Sequence, residues 1–277
     1  MGVILDEQVE RIRASLESSE ALFIGAGAGI GVDSGLPDFR GTEGFWRAYP
    51  PLAQLGIRFE EMANPRWFHD NPSLAWGFYG HRLQKYQETI PHEGFSILKK
   101  WTDSANASFV FTSNVDGQFQ AANFSDQSIM ECHGSIHFLQ CLRKCGKAIW
   151  PFPEDYSFSI DQNLIAVEPL PKCPSCKGLA RPNILMFSDF DWDSSRESKQ
   201  NENFQSWVDS NKSKPLMILE MGAGLAVPTV RSTCERLFDQ WENETTFVRI
   251  NPRDVFSIKG IVTLKMGALE ALQLLDQ

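Results

Sequence analysis

The side chains with the type and spacing for chemistry in this 277-residue sequence are a histidine, a cysteine quartet and an aromatic–cation pair. His133 stands in the stretch Glu-Cys-His-Gly; a free imidazole titrates near neutral pH, so a histidine can take a proton from a hydroxyl. A lone histidine is as readily a satisfied structural residue, the reading given to the neighbouring His137. Cys141-x3-Cys145, followed after 27 residues by Cys173-x2-Cys176, reads as two zinc knuckles supplying four thiolates in tetrahedral geometry. Such a closed set leaves the metal no open position, so it organises rather than catalyses. Disulfides and free reduced thiols are the other readings of these four residues. Cys132 and Cys234 fall outside the set and read as buried thiols. Tyr79-x-x-Arg82 places a phenol and a guanidinium one turn apart on a helix, facing the same way. A guanidinium so placed can pair with an anion; a surface arginine beside a core tyrosine is the alternative.

Residues 25–41 read GAGAGIGVDSGLPDFRG. Closely spaced glycines after a strand let backbone approach a pyrophosphate, and exposed N–H groups there form an anion-binding nest. A tight strand-to-helix turn would use the same residues. The G-x-G-x-x-G spacing is absent, and so is a Gly-Lys-Ser/Thr ending. In the closing residues Arg40 can pair with a phosphate, and Phe39 can cover a reactive ring or cation face.

These groups must be held by elements the sequence also announces. Val9, Ile12 and Leu16 line one face of a charged helix over Asp6–Glu17, which feeds the apolar run Ala21–Ile24. Short apolar runs recur at Phe109–Phe111, Ile184–Phe187, Leu216–Leu219, Phe247–Ile250 and Ile261–Leu264. Strands of this kind alternating with helical stretches predict an α/β parallel sheet covered on both faces. From Phe45 to Trp101 an aromatic and polar texture predicts a helical insertion, and Cys141–Arg181 is loop-rich with five prolines at 151, 153, 169, 171 and 174. A net charge of −9 argues against a nucleic-acid surface, leaving basic protein tails as possible partners. The stretch Ala21–Val32 is too short and Gly-rich to span a membrane, and the Met-Gly start lacks the Ser or Thr at position 6 of a myristoylation site, so the expected location is the cytoplasm.

The glycine-rich stretch resembles the signature loop of the sirtuin family, the NAD-dependent protein deacylases, with Gly27, Ala28 and Gly29 as its opening triplet, Ser34 and Gly35 as its second pair and Asp38, Phe39 and Arg40 as its end. Gly31 stands where the family usually has Ser. Further motifs follow in the family's order. Thr112–Gly117 resembles its Thr-Gln-Asn-Ile-Asp, with Ser113 in place of Gln; a polar turn capping a helix would suit the same residues. His133-Gly134 matches the catalytic His-Gly, and the four cysteines match the structural zinc module. The run from Arg181 to Asp189 is similar to the segment beside the acyl-lysine channel, with Ser188 and Asp189 replacing Gly and Glu. Gly222-Ala223-Gly224 occupies the place of a Gly-Thr-Ser that meets the NAD phosphates, without either hydroxyl.

The resemblance implies a Rossmann-like NAD-binding domain over 1–44, 102–138 and 181–277, a helical insertion over 45–101 and a zinc-binding domain over 139–180. It implies His133 and Asn114 as catalytic residues. Gly27, Ala28, Gly29, Asp38, Phe39, Arg40, Ser113, Asn114, Asp116, Gly222, Ala223 and Asn251 would bind NAD; Tyr79, Arg82 and Phe187 the acylated lysine; and Cys141, Cys145, Cys173 and Cys176 one structural zinc ion. The implied activity is NAD-dependent removal of acyl groups from protein lysines, yielding nicotinamide and O-acyl-ADP-ribose. A Tyr-x-x-Arg pair at this place marks family members that remove succinyl, malonyl or glutaryl groups. ADP-ribose transfer to protein, NAD hydrolysis and a silent NAD-binding module are the competing readings.

Overall fold

The computed structural model describes residues 2–37, 42–254 and 258–277. Strand β1 (Ala21–Ala26) is buried along its whole length, as a strand inside a parallel sheet must be. It pairs in parallel with β2 (Ala107–Thr112) on one side and β7 (Leu216–Met221) on the other. With β3 (Ile129–Glu131), β8 (Thr245–Ile250) and β9 (Val262–Leu264) they form a six-stranded sheet in the order β3-β2-β1-β7-β8-β9. Strand order reverses between β1 and β7, so the carboxyl ends Ala26 and Met221 flank a topological switch point, where open α/β sheets bind ligands.

Alternation along β1 decides the layers. Leu22, Ile24 and Ala26 face a core shared with α1 (Gly2–Ser18), α7 (Glu93–Ser104) and α11 (Ala268–Leu275). Ala21 and Phe23 face the opposite core, closed by α9 (Ser195–Asn211) and α10 (Thr229–Gln240). Helix α7 therefore covers the parallel sheet through Phe95, Leu98 and Trp101.

The remaining helices pack elsewhere. The short helices α2 (Thr42–Ala48), α3 (Pro50–Gln54), α4 (Phe59–Met62) and α5 (Trp67–Asp70) gather around the long α6 (Pro72–Glu88). The sequence starts α6 sharply: Pro72 lies in its first turn and the Asn71 side chain accepts from Leu74 N at 3.1 Å. Phe45, Tyr49, Leu52, Trp76 and Phe78 share a third core with an antiparallel sheet of order β5-β4-β6, made of β4 (Gly134–Cys141), β5 (Trp150–Pro151) and β6 (Ala180–Ile184). A one-turn helix α8 (Gln118–Ala121) follows β2.

One expected strand is corrected. The run Ile184–Phe187 is not a strand of the parallel sheet; β6 ends at Ile184 and pairs antiparallel with β4. The chain leaves the sheet because Asp189 Oδ2 accepts from Met186 N at 3.3 Å while Ser188 takes φ 56°, bending the segment away. No helix among the described residues is long and apolar enough to cross a membrane.

Candidate active site

The glycines cluster at the switch point because two main chains cross there. A Cβ on Gly27 would lie 2.6 Å from Gly222 O, and one on Gly29 would lie 2.6 Å from Gly222 Cα. Gly222 itself has φ 61°, and its Cβ would meet Ile30 N at 2.4 Å. The crossing is tied by Gly27 N donating to Met221 O (2.9 Å), Gly29 N to Gly222 O (3.0 Å) and Gly222 N to Ile250 O (3.1 Å). These three N–H groups are thereby spent inside the protein.

On one side of the crossing lies a cavity of about 310 Å³. Ala28, Ser113, Asn114, Asp116, His133, Tyr79, Arg82 and Phe187 all line it, so residues far apart in sequence meet at one space. Thr112 starts this arrangement by donating its hydroxyl to Ala26 O (2.9 Å) and accepting from Asn114 N (3.0 Å). Asn114 Nδ2 then donates to Gly27 O at 3.2 Å, fixing the amide over the glycine crossing. Asp116 accepts from Gln118 N at 3.0 Å, and burial pushes its carboxyl up from 3.8 to about 6. His137 is where its structural reading puts it, its ring Nε2 2.9 Å from Asp116 O. His133 sits in the two-residue link between β3 and β4, with its own carbonyl accepting from Leu185 N at 2.9 Å. The adjoining Cys132 is buried, which raises its thiol to about 12 and removes it as a nucleophile.

Tyr79 and Arg82 line the cavity from α6, both buried. Arg82 donates Nε (3.1 Å) and Nη2 (2.7 Å) to the Tyr86 hydroxyl, one turn on, and lies within 6 Å of the rings of Phe59, Phe78, Tyr79 and Tyr86. The Tyr79 hydroxyl is buried without a hydrogen-bond partner, and so is the Ser113 hydroxyl. A buried hydroxyl left unpaired costs roughly 1–3 kcal/mol, so both oxygens favour a polar ligand in the cavity.

A second cavity of about 300 Å³ lies across the crossing, lined by Gly29, Asp33, Gly222, Gly224, Asn251 and Asp254 among others. Asn251 is buried, donates Nδ2 to Ala223 O (3.0 Å) and accepts from Arg253 N and Asp254 N (both 2.9 Å). Ala226 borders both cavities, so the two adjoin there as the arms of one crevice.

The four cysteines meet apart from this crevice, with all sulfurs within 4.8 Å of one another. Cys141 and Cys176 are 3.6 Å apart, and Cys145 and Cys173 are 3.5 Å apart. Four sulfurs each about 2.3 Å from one tetrahedral ion stand about 3.8 Å from each other, so the quartet fits zinc and excludes paired disulfides.

A model of the Sir2 family matches residues 27–209. The chain belongs to the Sir2 family. An NAD-dependent protein deacylase of Aquifex aeolicus is 34% identical over 163 residues, 59% of each chain, and one of Pyrococcus abyssi is 34% identical over 182 residues, 66% of this chain and 65% of the relative. The match thus spans about three-fifths of those relatives' length. A Sir2 homologue solved in complex with NAD has the same fold, with a TM-score of 0.71 over 96% of this chain and 92% of that one at 22% identity.

Within this Sir2 frame the departures acquire reasons. Ser188, where the resemblance expects Gly, occupies a left-handed backbone position that glycine adopts at no steric cost. Asp189, where it expects Glu, is fully buried in an ion pair with Arg181 at 2.6 Å. A Cβ on Gly31 would meet only the Leu36 side chain, closest at its Cδ1 tip, 3.1 Å away. Gly222 and Asn251 line the second cavity and Ala223 lies beside it, all three beyond the matched residues. Asp38, Phe39 and Arg40 lie outside the described residues. Sequence reasoning missed Tyr86, although its position four residues after Arg82 on a helix is a readable signal. It also missed Arg231, which nothing in the motifs marks.

Proposed function

We propose that this Sir2-family chain is an NAD-dependent protein-lysine deacylase that favours acyl groups ending in a carboxylate. The observation that carries the reading is the shared cavity: His133, Asn114, Tyr79 and Arg82 all line it, and the Tyr79 hydroxyl is buried with no partner. The names of the Aquifex and Pyrococcus relatives support the deacylase reading. When bound, NAD supplies a ribose carbon that releases nicotinamide and a ribose hydroxyl that accepts the acyl group.

The chain's own residues do the rest. Asn114, tethered to Gly27 O, orients the ribose, and Asp116 accepts from the nicotinamide amide. His133 takes the proton from the ribose hydroxyl, leaving that oxygen able to attack the acyl carbon. Arg82 and Tyr79 hold the acyl carboxylate, with Tyr86 and the surrounding rings keeping the guanidinium in place. Phe187 lines the entry used by the acyl-lysine side chain. Cys141, Cys145, Cys173 and Cys176 hold one structural zinc, and the cytoplasm, which keeps thiols reduced, suits that set.

Mass spectrometry of reactions with NAD and matched succinyl-lysine and acetyl-lysine peptides tests this. Wild type is expected to form O-succinyl-ADP-ribose, His133→Ala to form none, and Arg82→Met to lose about 10- to 100-fold of succinyl turnover while keeping acetyl turnover. Nicotinamide without any change in the peptide overturns the reading in favour of ADP-ribosyl transfer or NAD hydrolysis. NAD binding without nicotinamide release makes the chain a silent module.

A further inference from the structure

Helix α10 carries a buried cation at its first turn. Arg231 is 4% exposed, and its Nε and Nη1 have no hydrogen-bond partner. A positive side chain at the positive end of a helix is disfavoured by the macrodipole, and burial adds to the cost, so the position needs a compensating role.

What Arg231 touches suggests that role. Its Nη2 donates to Asp254 O at 2.8 Å and to Ala223 O at 3.3 Å, bridging the two loops that wall the second cavity. Asn251 Nδ2 grips the same Ala223 carbonyl from the other side. Behind it Nε lies 3.8 Å from Glu220, which is bidentate with Arg249 at 2.7 and 2.9 Å, and Arg249 in turn reaches Glu235 at 2.7 Å. A chain of charges thus runs from the middle of the sheet to the loop after β7.

That loop is Gly222-Ala223-Gly224, which has no side-chain hydroxyl to offer. Among the described residues no acceptor takes the amides of Ala223, Gly224 or Leu225. Main-chain N–H groups can bind an anion only where the backbone is held still. We propose that Arg231 is a positioning residue for the dinucleotide: it locks the 222–225 turn against the 251–254 loop so that backbone amides meet the phosphates where side-chain hydroxyls are missing. This rests on the crevice binding NAD, as proposed above.

Calorimetric titration of the full chain with ADP-ribose tests it in wild type, Arg231→Gln and Arg231→Lys, alongside steady-state kinetics. The Gln variant is expected to bind ADP-ribose about tenfold more weakly and to raise KM for NAD by a similar factor, with KM for the acyl-peptide unmoved. The Lys variant, able to reach one of the two carbonyls, is expected to recover part of that loss. Equal ADP-ribose affinity in all three proteins overturns the role of Arg231 while leaving NAD binding intact. A parallel rise in both KM values, or a Lys variant that does not fold, makes the residue a general support of the core and also overturns it. Wild type that fails to bind ADP-ribose overturns the NAD reading itself.

Discussion

Asp116 shows how one buried carboxyl sets two opposed pH dependences. Burial raises it from 3.8 to about 6, with Glu131 adding to the rise and the Gln118 amide, His137 and Arg82 opposing it. Because the folded value lies above the unfolded one, the group contributes stability in full below about 3.8, and that contribution is lost as pH rises through about 6. Its proposed work as an acceptor is done best by the carboxylate, which predominates above about 6. The acid limb of kcat/KM is therefore expected near pH 6, well above an ordinary aspartate. Asp116→Asn should flatten that limb, lower activity and raise the melting temperature at pH 8 relative to wild type; a limb unchanged in the variant would assign it to another group, His133 first. At this scale the cysteines were legible from type and spacing, whereas His133 and Asn114 were singled out only through the family resemblance, and both line the one cavity. It was silent on the unpaired hydroxyls of Tyr79 and Ser113, because partners are a property of the packed site.

Among the elements, the turn after β1 separates glycines that the fold requires from glycines it merely tolerates. Gly222→Ala would force a left-handed residue into a contact of 2.4 Å with Ile30 N, so it is expected to cost at least about 1–2 kcal/mol in urea unfolding. Gly31→Ser would press only on the flexible end of Leu36, and about 1 kcal/mol or less is expected. Equal losses at both sites would refute the crossing as the reason for the glycines. Alternating glycines were visible in the sequence, but not their partner, since Gly222 arrives from nearly two hundred residues away. Strands β1, β2, β7 and β8 were legible because both faces are buried and the apolar run is continuous. The run at Ile184–Phe187 looks the same on paper, and only the Asp189 contact and the bend at Ser188 end the strand early.

Over the whole molecule, the cysteine quartet braces the small antiparallel sheet, since Cys141 ends β4 and Cys173 and Cys176 precede β6. Cys173→Ser is expected to lose the zinc measured by atomic emission and to split thermal unfolding into two transitions, the first from the small sheet and the second from the parallel one. A variant that keeps its zinc, or a single transition at the wild-type temperature, would contradict the assignment. The fold class was readable because two layers of helix cover a continuous apolar sheet, whereas the charge chain from Glu235 to Arg231 was not, since charged residues inside a strand carry no periodic signature. His133 occupies the link between the two sheets, and Gly134 beside it presses so closely on β6 that an added Cβ would lie 2.1 Å from Asn183 O. His133 is thus geared to the smaller sheet while Asn114 is anchored to the larger one. A tilt of one sheet on the other would change the gap between His133 and Asn114, so the junction would act as a clutch between the residue proposed as base and the one proposed to orient the ribose.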